Sequence, residues 1–132
     1  MLLHLRSGLN LTSSFDIAVF AAACVAFWGQ CRLGELLPTS RTDPELSTKP
    51  CRNNITSTKH TITVRLPRTK TQKHGEDVIL TAQCSEIDPI SVLRMHLFAT
   101  PNTPNTLLFT YSTGATTIPL TRRAFLNRCN EV

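Results

Sequence analysis

The chain has 132 residues, a length that fits one small domain or part of a larger one. Apolar residues make up 41% of it, which is enough for a hydrophobic core and excludes a wholly disordered tail. The net charge of +5 is uneven, because residues 45–84 carry seven basic and three acidic side chains. This basic middle favours a polyanionic partner, with nucleic acid first, although a solvated hairpin without a partner would look the same.

Five cysteines stand far apart, with no C-x-x-C pair and no cysteine–histidine spacing typical of zinc sites. They are predicted to be reduced thiols of an intracellular protein, with Cys24 and Cys31 as small core residues. The apolar run over residues 17–28 is too short for a membrane span, which needs about 20 residues. It predicts a buried helix instead.

The predicted elements begin with a short helix over residues 1–9, whose leucines share one face. Ser13 and Asp16 have the spacing of a capped helix start, so a second helix is predicted from there to about Cys31. Its sequence is apolar nearly all round, which predicts burial on most sides. Residues 39–60 are rich in threonine, serine, asparagine and proline, and predict an extended loop with little regular structure.

A β-hairpin is predicted next. Residues 61–67 alternate between apolar and polar, and residues 76–81 form the returning strand. The connecting loop is basic and ends in Gly75, which suits a wide hairpin. Asp88 followed by Pro89 then predicts a helix start, since proline fits the first helical position.

Later elements complete the prediction. The helix from Pro89 to Ala99 is expected to bury Ile90, Leu93, Leu97 and Phe98. Loops are predicted over residues 100–106 and 112–119, with a short strand or extended segment over 107–111 between them. Thr121 is expected to cap a last helix with Phe125 and Leu126 inward. The predicted class is α+β and mainly helical, with helices packed on a small antiparallel hairpin or three-stranded sheet.

Arg32 and Glu35 stand out in the segment CRLGELL, and Lys70 lies in the basic hairpin LPRTKTQKHGEDVILT. In this order the two segments resemble the first arginine box and the β-hairpin of the tyrosine recombinase catalytic domain, the integrase class. Over its whole length, the sequence most resembles the catalytic domains of this class that occur in fungal transposons, including Crypton-type elements. SSFDIAVFAAACVAFWGQ, DPISVLRMHL and PLTRRAFLNRCNE are similar to that subgroup.

The resemblance implies roles for these residues. Arg32 would grip the scissile phosphate, Lys70 would protonate the leaving 5′-oxygen, and Glu35 would orient the guanidinium or the backbone around it. The planar donor fork of arginine suits phosphate oxygens, and a packed helix would hold it rigidly. The alternative is that Arg32 bonds carbonyls at a helix end. Lys73 is the alternative candidate for the role of Lys70. Lys70 is preferred only because its segment, TKT, matches the hairpin of the family.

Further basic residues are candidates for DNA binding. A neighbouring field of positive charge would lower the pKa of the hairpin lysine, and exposed cations could contact phosphates. On the last helix, the arginines are expected first to form a solvated face and second to contact the DNA backbone. The candidates are Arg65, Arg68, Lys73, His74 and Arg122.

Other parts of the family pattern are unmatched: the histidine–x–x–arginine box and the tyrosine nucleophile. Tyr111 precedes the expected box and is predicted to be a strand residue that packs beside Phe109. The expectation is one partial, C-terminally truncated catalytic domain over residues 1–132, inactive alone. Residues 1–12 would be a helix stub or linker to a missing N-terminal DNA-binding domain, and residues 13–132 the N-terminal part of the core.

Partners and location follow from the same resemblance. Double-stranded DNA is the expected partner, with a homo-oligomer on DNA for a full-length protein. No cofactor, metal or membrane is expected, and the nucleus is the expected compartment. Two alternatives stay open: a non-catalytic DNA-binding module and a decayed transposon remnant without activity.

Overall fold

The computed structural model describes residues 1–42, 47–69, 71–100 and 106–132. These residues form an α+β fold with five α-helices and two small antiparallel sheets, which confirms the predicted class. The helices are α1 Leu2–Gly8, α2 Ser14–Gly29, α3 Leu33–Leu36, α4 Pro89–Ala99 and α5 Arg122–Glu131. The strands are β1 Ile55–Ser57, β2 Thr61–Leu66, β3 Glu76–Thr81, β4 Thr110–Thr113 and β5 Thr116–Pro119.

Helix α2 is the centre of the core. Its start is confirmed, because the Ser13 hydroxyl accepts a hydrogen bond from the Asp16 N–H at 3.4 Å. All its residues from Asp16 to Val25 are buried. The predicted end near Cys31 is wrong by two residues, since Gln30 takes a left-handed conformation with φ of 54° and closes the helix at Gly29.

Asp16 ties the first and last parts of the chain together. Asp16 is 4% exposed, and its carboxylate accepts from the Asn10 N–H at 2.8 Å and from Arg128 Nε at 2.9 Å. Burial alone would raise the pKa of Asp16, but the bonds from Arg128 and Asn10 outweigh it and the pKa is lowered. The expectation of a solvated arginine face on the last helix is therefore wrong for Arg128, because its guanidinium is held by Asp16.

Strands β1, β2 and β3 form an antiparallel sheet in that order. The predicted alternation in β2 is confirmed, because Ile62, Val64 and Leu66 are buried in the hydrophobic core. The loop predicted over residues 39–60, with little regular structure, does contain a short 3₁₀ turn at Arg52–Asn54 that leads into β1. Strand β1 has little pattern of its own and is placed by pairing with β2, Ile55 lying opposite Val64.

The loop predicted over residues 112–119 is instead a second β-hairpin, formed by β4 and β5. It turns at Gly114, whose φ is +61°. Tyr111 is a strand residue as predicted, 6% exposed, and its ring meets Phe15 edge-on at 4.9 Å. The Tyr111 hydroxyl accepts from Arg41 Nη2 at 3.0 Å, while Phe109 stacks on His96.

The starts of α4 and α5 are confirmed. Asp88 accepts from two N–H groups of α4, and Thr121 accepts from the Ala124 N–H. The predictions that Phe98 and Leu126 face inward are wrong, since Phe98 is 94% exposed and Leu126 is 43% exposed. His96 takes the inward place on α4 because its ring bonds the Leu108 carbonyl.

Within the described residues, no helix is both long and apolar enough to cross a bilayer. Most of the predicted loop over 100–106 lies outside the described residues.

Candidate functional site

An open cavity of about 460 Å³ lies between α3, the start of α5 and the loop that joins β2 to β3. We call it the basic cavity, because four of the side chains that line it are cationic and one is acidic. Such an excess of positive charge attracts anions. Its charged and polar lining includes Arg32, Glu35, Lys49, Arg68, Thr69 and Arg122.

Arg32 stands at the entrance to α3 rather than at the end of a buried helix. After Gln30 closes α2, Arg32 becomes the extended residue before α3, with φ of −84° and ψ of 143°, and is exposed. The expectation that a packed helix holds Arg32 rigidly is wrong, because α2 ends at Gly29, before Arg32 is reached. Glu35 fixes its backbone, since Glu35 Oε1 accepts from the Arg32 N–H at 3.1 Å and the Glu35 N–H donates to the Arg32 carbonyl at 2.9 Å.

The hairpin loop supplies the second side of the basic cavity. Thr69 is buried and folds the loop by exchanging two 3.0 Å hydrogen bonds with Gln72. One joins the Thr69 N–H to the Gln72 carbonyl, and the other joins the Gln72 N–H to the Thr69 hydroxyl. Arg68, next to this anchored residue, is exposed and lines the cavity.

Helix α5 supplies the third side. The Arg122 N–H donates to the Pro38 carbonyl at 3.0 Å, which fixes the start of α5 beside the end of α3. A Cβ atom added at Gly34 would lie 4.0 Å from Arg122 Nη1, so the guanidinium lies above α3. Arg32 and Arg122 are thereby brought to one cavity although 90 positions separate them in sequence.

Lys49 lines the same cavity and was not a sequence-based candidate. Its Nζ donates to the Gly34 carbonyl at 2.5 Å. The segment around it offers no periodicity or motif, and the contact spans fifteen positions, so local patterns gave little signal. The signal that was present is Pro38, four residues after Gly34, because proline removes the N–H that would bond that carbonyl within a helix.

The predicted site residues divide into four groups. Arg65 Nη1 pairs with Asp77 Oδ1 at 3.2 Å, and Arg65 Nη2 donates to the His74 carbonyl at 2.8 Å. The Arg65 guanidinium is therefore bound to the opposite side of the hairpin. Lys73 and His74 are exposed on the loop and do not line the basic cavity. Lys70 lies outside the described residues. The residues brought together are Arg32, Glu35, Arg68 and Arg122.

Cys31, which precedes Arg32 in the chain, is not a ready nucleophile. Burial, followed by the charges of Glu35 and Glu76, raises the pKa of Cys31 to about 12. Burial likewise raises the pKa of Cys24 to about 12, with Asp88 adding to the shift. Over the described ranges, no cluster of three or more histidine, cysteine or acidic side chains could hold a metal ion.

Comparisons of the chain with protein-family models, characterised proteins and solved structures find no match. A functional assignment therefore starts from the chemistry of the basic cavity.

Proposed function

We propose that the chain is an incomplete catalytic domain of the tyrosine recombinase class, which binds the DNA backbone in its basic cavity and does not rejoin DNA alone. The observation that carries this proposal is the meeting of Arg32, Arg68 and Arg122, from three separate segments, around one opening. The resemblance of CRLGELL to the first arginine box supports the same role for Arg32. Duplex DNA is the proposed partner, and the nucleus is the compartment that such a substrate implies.

The arginine side chains suit a phosphodiester. Each guanidinium presents a planar fork of donors that matches two phosphate oxygens. Among the described side chains that line the cavity, Glu35 is the one carboxylate against the cations Arg32, Lys49, Arg68 and Arg122. Cations that outnumber the carboxylates around one opening repel one another, and an anion in the opening relieves that repulsion.

Arg32→Met is expected to weaken DNA binding several-fold at low salt. It removes one phosphate contact, so the slope of log affinity against log salt should become shallower by roughly 0.9. The measurement is fluorescence anisotropy of a labelled mixed-sequence duplex over a series of salt concentrations. Arg94→Met is the matched control, because Arg94 is exposed on α4 and does not line the basic cavity.

The outcomes separate the proposal from its rivals. Absence of salt-dependent binding by the unaltered chain would remove DNA as the partner. Binding that Arg32→Met and Arg94→Met change equally would favour a non-catalytic module that uses the hairpin loop. That second candidate has an observation in its favour, since Lys73 and His74 are both exposed on this loop.

No covalent adduct is expected when the chain is incubated with a nicked DNA duplex. Tyr111 is the single tyrosine of the sequence, and it is buried with its hydroxyl bonded to Arg41. It also lies outside the basic cavity, so it cannot attack a phosphate bound there. Electrophoresis under denaturing conditions would detect a linked product. A shifted band that Tyr111→Phe abolishes would contradict both the inactivity and the assignment of Tyr111 to the core.

A further inference from the structure

We infer that the exposed face of α5 extends the DNA-binding surface beyond the basic cavity, with Arg123, Asn127 and Asn130 as contacts to further phosphates of the same duplex. This inference rests on the proposed function, since it enlarges the same DNA-binding site. It adds three residues that do not line the basic cavity.

A second opening, of about 520 Å³, adjoins the basic cavity along α5, and Arg122 lines both. Its lining from α5 also includes Arg123, Asn127 and Asn130, with Leu126 as the apolar member. These side chains are exposed, and within the described ranges no carboxylate lines this opening. We call the surface formed by Arg122, Arg123, Asn127 and Asn130 the α5 track. The positive charge of the basic cavity therefore continues along the helix.

Helical spacing places the donors of the α5 track in one row. Arg123, Asn127 and Asn130 are separated by four and then three positions, so their side chains lie on one face of α5. Seven residues of helix rise about 10 Å, whereas neighbouring phosphates of one DNA strand are about 3.4 Å apart along the duplex axis. Arginine and asparagine side chains both donate to phosphate oxygens. A row of this length fits a polymer that repeats its charge along a line better than it fits a single anion.

Contacts at two points fix which face of α5 is exposed. Phe125 is buried in the core, and one turn along the helix Arg128 Nε bonds Asp16 at 2.9 Å. At the start of α5, the Arg122 N–H donates to the Pro38 carbonyl at 3.0 Å. These contacts keep the helix from rotating about its axis, so the α5 track stays on the surface. Because the backbone is already ordered, DNA binding costs mainly side-chain freedom.

The test measures binding of the same labelled mixed-sequence duplex over a salt series. Arg123→Met is expected to weaken binding several-fold at low salt and to make the salt slope shallower by roughly 0.9, because one phosphate contact is lost. Arg94→Met is the matched control, since it removes the same charge from α4, outside the α5 track. Arg123→Lys keeps the charge and should keep the slope.

The asparagines give a second signature, because they carry no charge. The double variant Asn127→Ala and Asn130→Ala should weaken binding several-fold at every salt concentration without changing the slope. Alanine is a better helix former than asparagine, so we expect this variant to fold. Asn53→Ala is the control, because Asn53 is exposed in the 3₁₀ turn before β1 and lines neither opening.

A further double variant tests whether the α5 track and the basic cavity bind one duplex. Arg32→Met combined with Arg123→Met should make the slope shallower by roughly 1.8, the sum of two separate phosphate contacts. Inorganic phosphate, added at constant ionic strength, should not displace the duplex, because a single anion occupies only one part of the surface.

A slope for Arg123→Met equal to that of Arg94→Met would overturn this inference, as would displacement of the duplex by inorganic phosphate. If Arg123→Met does not fold, Arg123→Gln gives the deciding measurement. If Arg32→Met weakens binding while Arg123→Met does not, the proposed function stands and the α5 track alone fails. If the unaltered chain does not bind the duplex, both fail together.

Discussion

Acidification from about pH 7 to about pH 4 is expected to remove roughly 3 kcal/mol from the free energy of unfolding through His96 alone. His96 is 0% exposed, and burial lowers its pKa from 6.5 to about 4. The bond from its Nε2 to the Leu108 carbonyl, 2.8 Å long, acts against this shift, and the charge of Arg52 adds to it. Since a carbonyl only accepts, Nε2 is the protonated nitrogen of the neutral ring.

The direction of the effect follows from proton binding. In the unfolded chain the histidine gains a proton below about pH 6.5, whereas in the folded chain it gains one only near pH 4. The unfolded state therefore holds more protons between these values, and stability falls as the pH falls through that window. Asp16 and Asp88 also have lowered pKa values, so their contribution is lost at still lower pH, below the ordinary carboxyl range.

Urea unfolding at a series of pH values would measure this loss. His96→Gln is the informative variant, because glutamine can donate to the Leu108 carbonyl but does not titrate. It should flatten the pH dependence between about pH 6.5 and pH 4 whatever its stability at neutral pH. His60→Gln is the control, since His60 is exposed in the turn between β1 and β2. An unchanged pH dependence in His96→Gln would assign the acid sensitivity to other groups.

Local signals predicted the fold well where one segment holds all the information. Ser13, Asp88 and Thr121 cap helices by accepting from N–H groups two or three positions later, so the starts of α2, α4 and α5 could be read from sequence. In the same way, the alternation of apolar and polar residues in β2 was sufficient to predict this strand and its buried face. Strand β1 was missed because its place depends on the free edge of β2. The β4–β5 hairpin was missed because its strands are only four residues long.

Helix faces were less predictable, because apolar spacing alone allows more than one orientation. On α4, Phe98 fits an apolar stripe as well as its neighbours do, yet His96 is the residue that points inward. The bond to the Leu108 carbonyl and the stacking on Phe109 favour that orientation. Both partners belong to a segment more than ten positions away, so the sequence of α4 alone does not determine which of its faces is buried.

The candidate site likewise combines features that local sequence predicts with features that depend on distant contacts. Arg32 and Glu35 lie three positions apart and their link is local, whereas Arg68 and Arg122 reach the basic cavity only through the packing of the hairpin and α5. The hairpin was predicted but its register was not, and the register places Arg65 opposite Asp77, where the two side chains pair. A cross-strand ion pair is therefore the simpler role for Arg65.

Gly75→Ala is expected to cost about 2 kcal/mol or more and to reduce DNA binding with it. Gly75 has φ of +87°, a conformation in which side chains are strained. A Cβ atom there would also lie 2.2 Å from the Leu66 carbonyl oxygen and 2.8 Å from that of Pro67. These are backbone atoms at the end of β2, so the loop must shift to relieve the collision. That loop carries Arg68 and Thr69 into the basic cavity.

Gly114→Ala separates strain from collision. Gly114 also has a positive φ, of +61°, but a Cβ atom there would have no neighbour within 4 Å. Its cost should be about 1 kcal/mol, from the left-handed conformation alone. Urea unfolding of both variants, with DNA binding measured where each is folded, should show a larger stability loss and weaker binding only for Gly75→Ala. Equal losses would mean that the hairpin loop accommodates the added methyl group, and that the position of Arg68 does not depend on the close packing at Gly75.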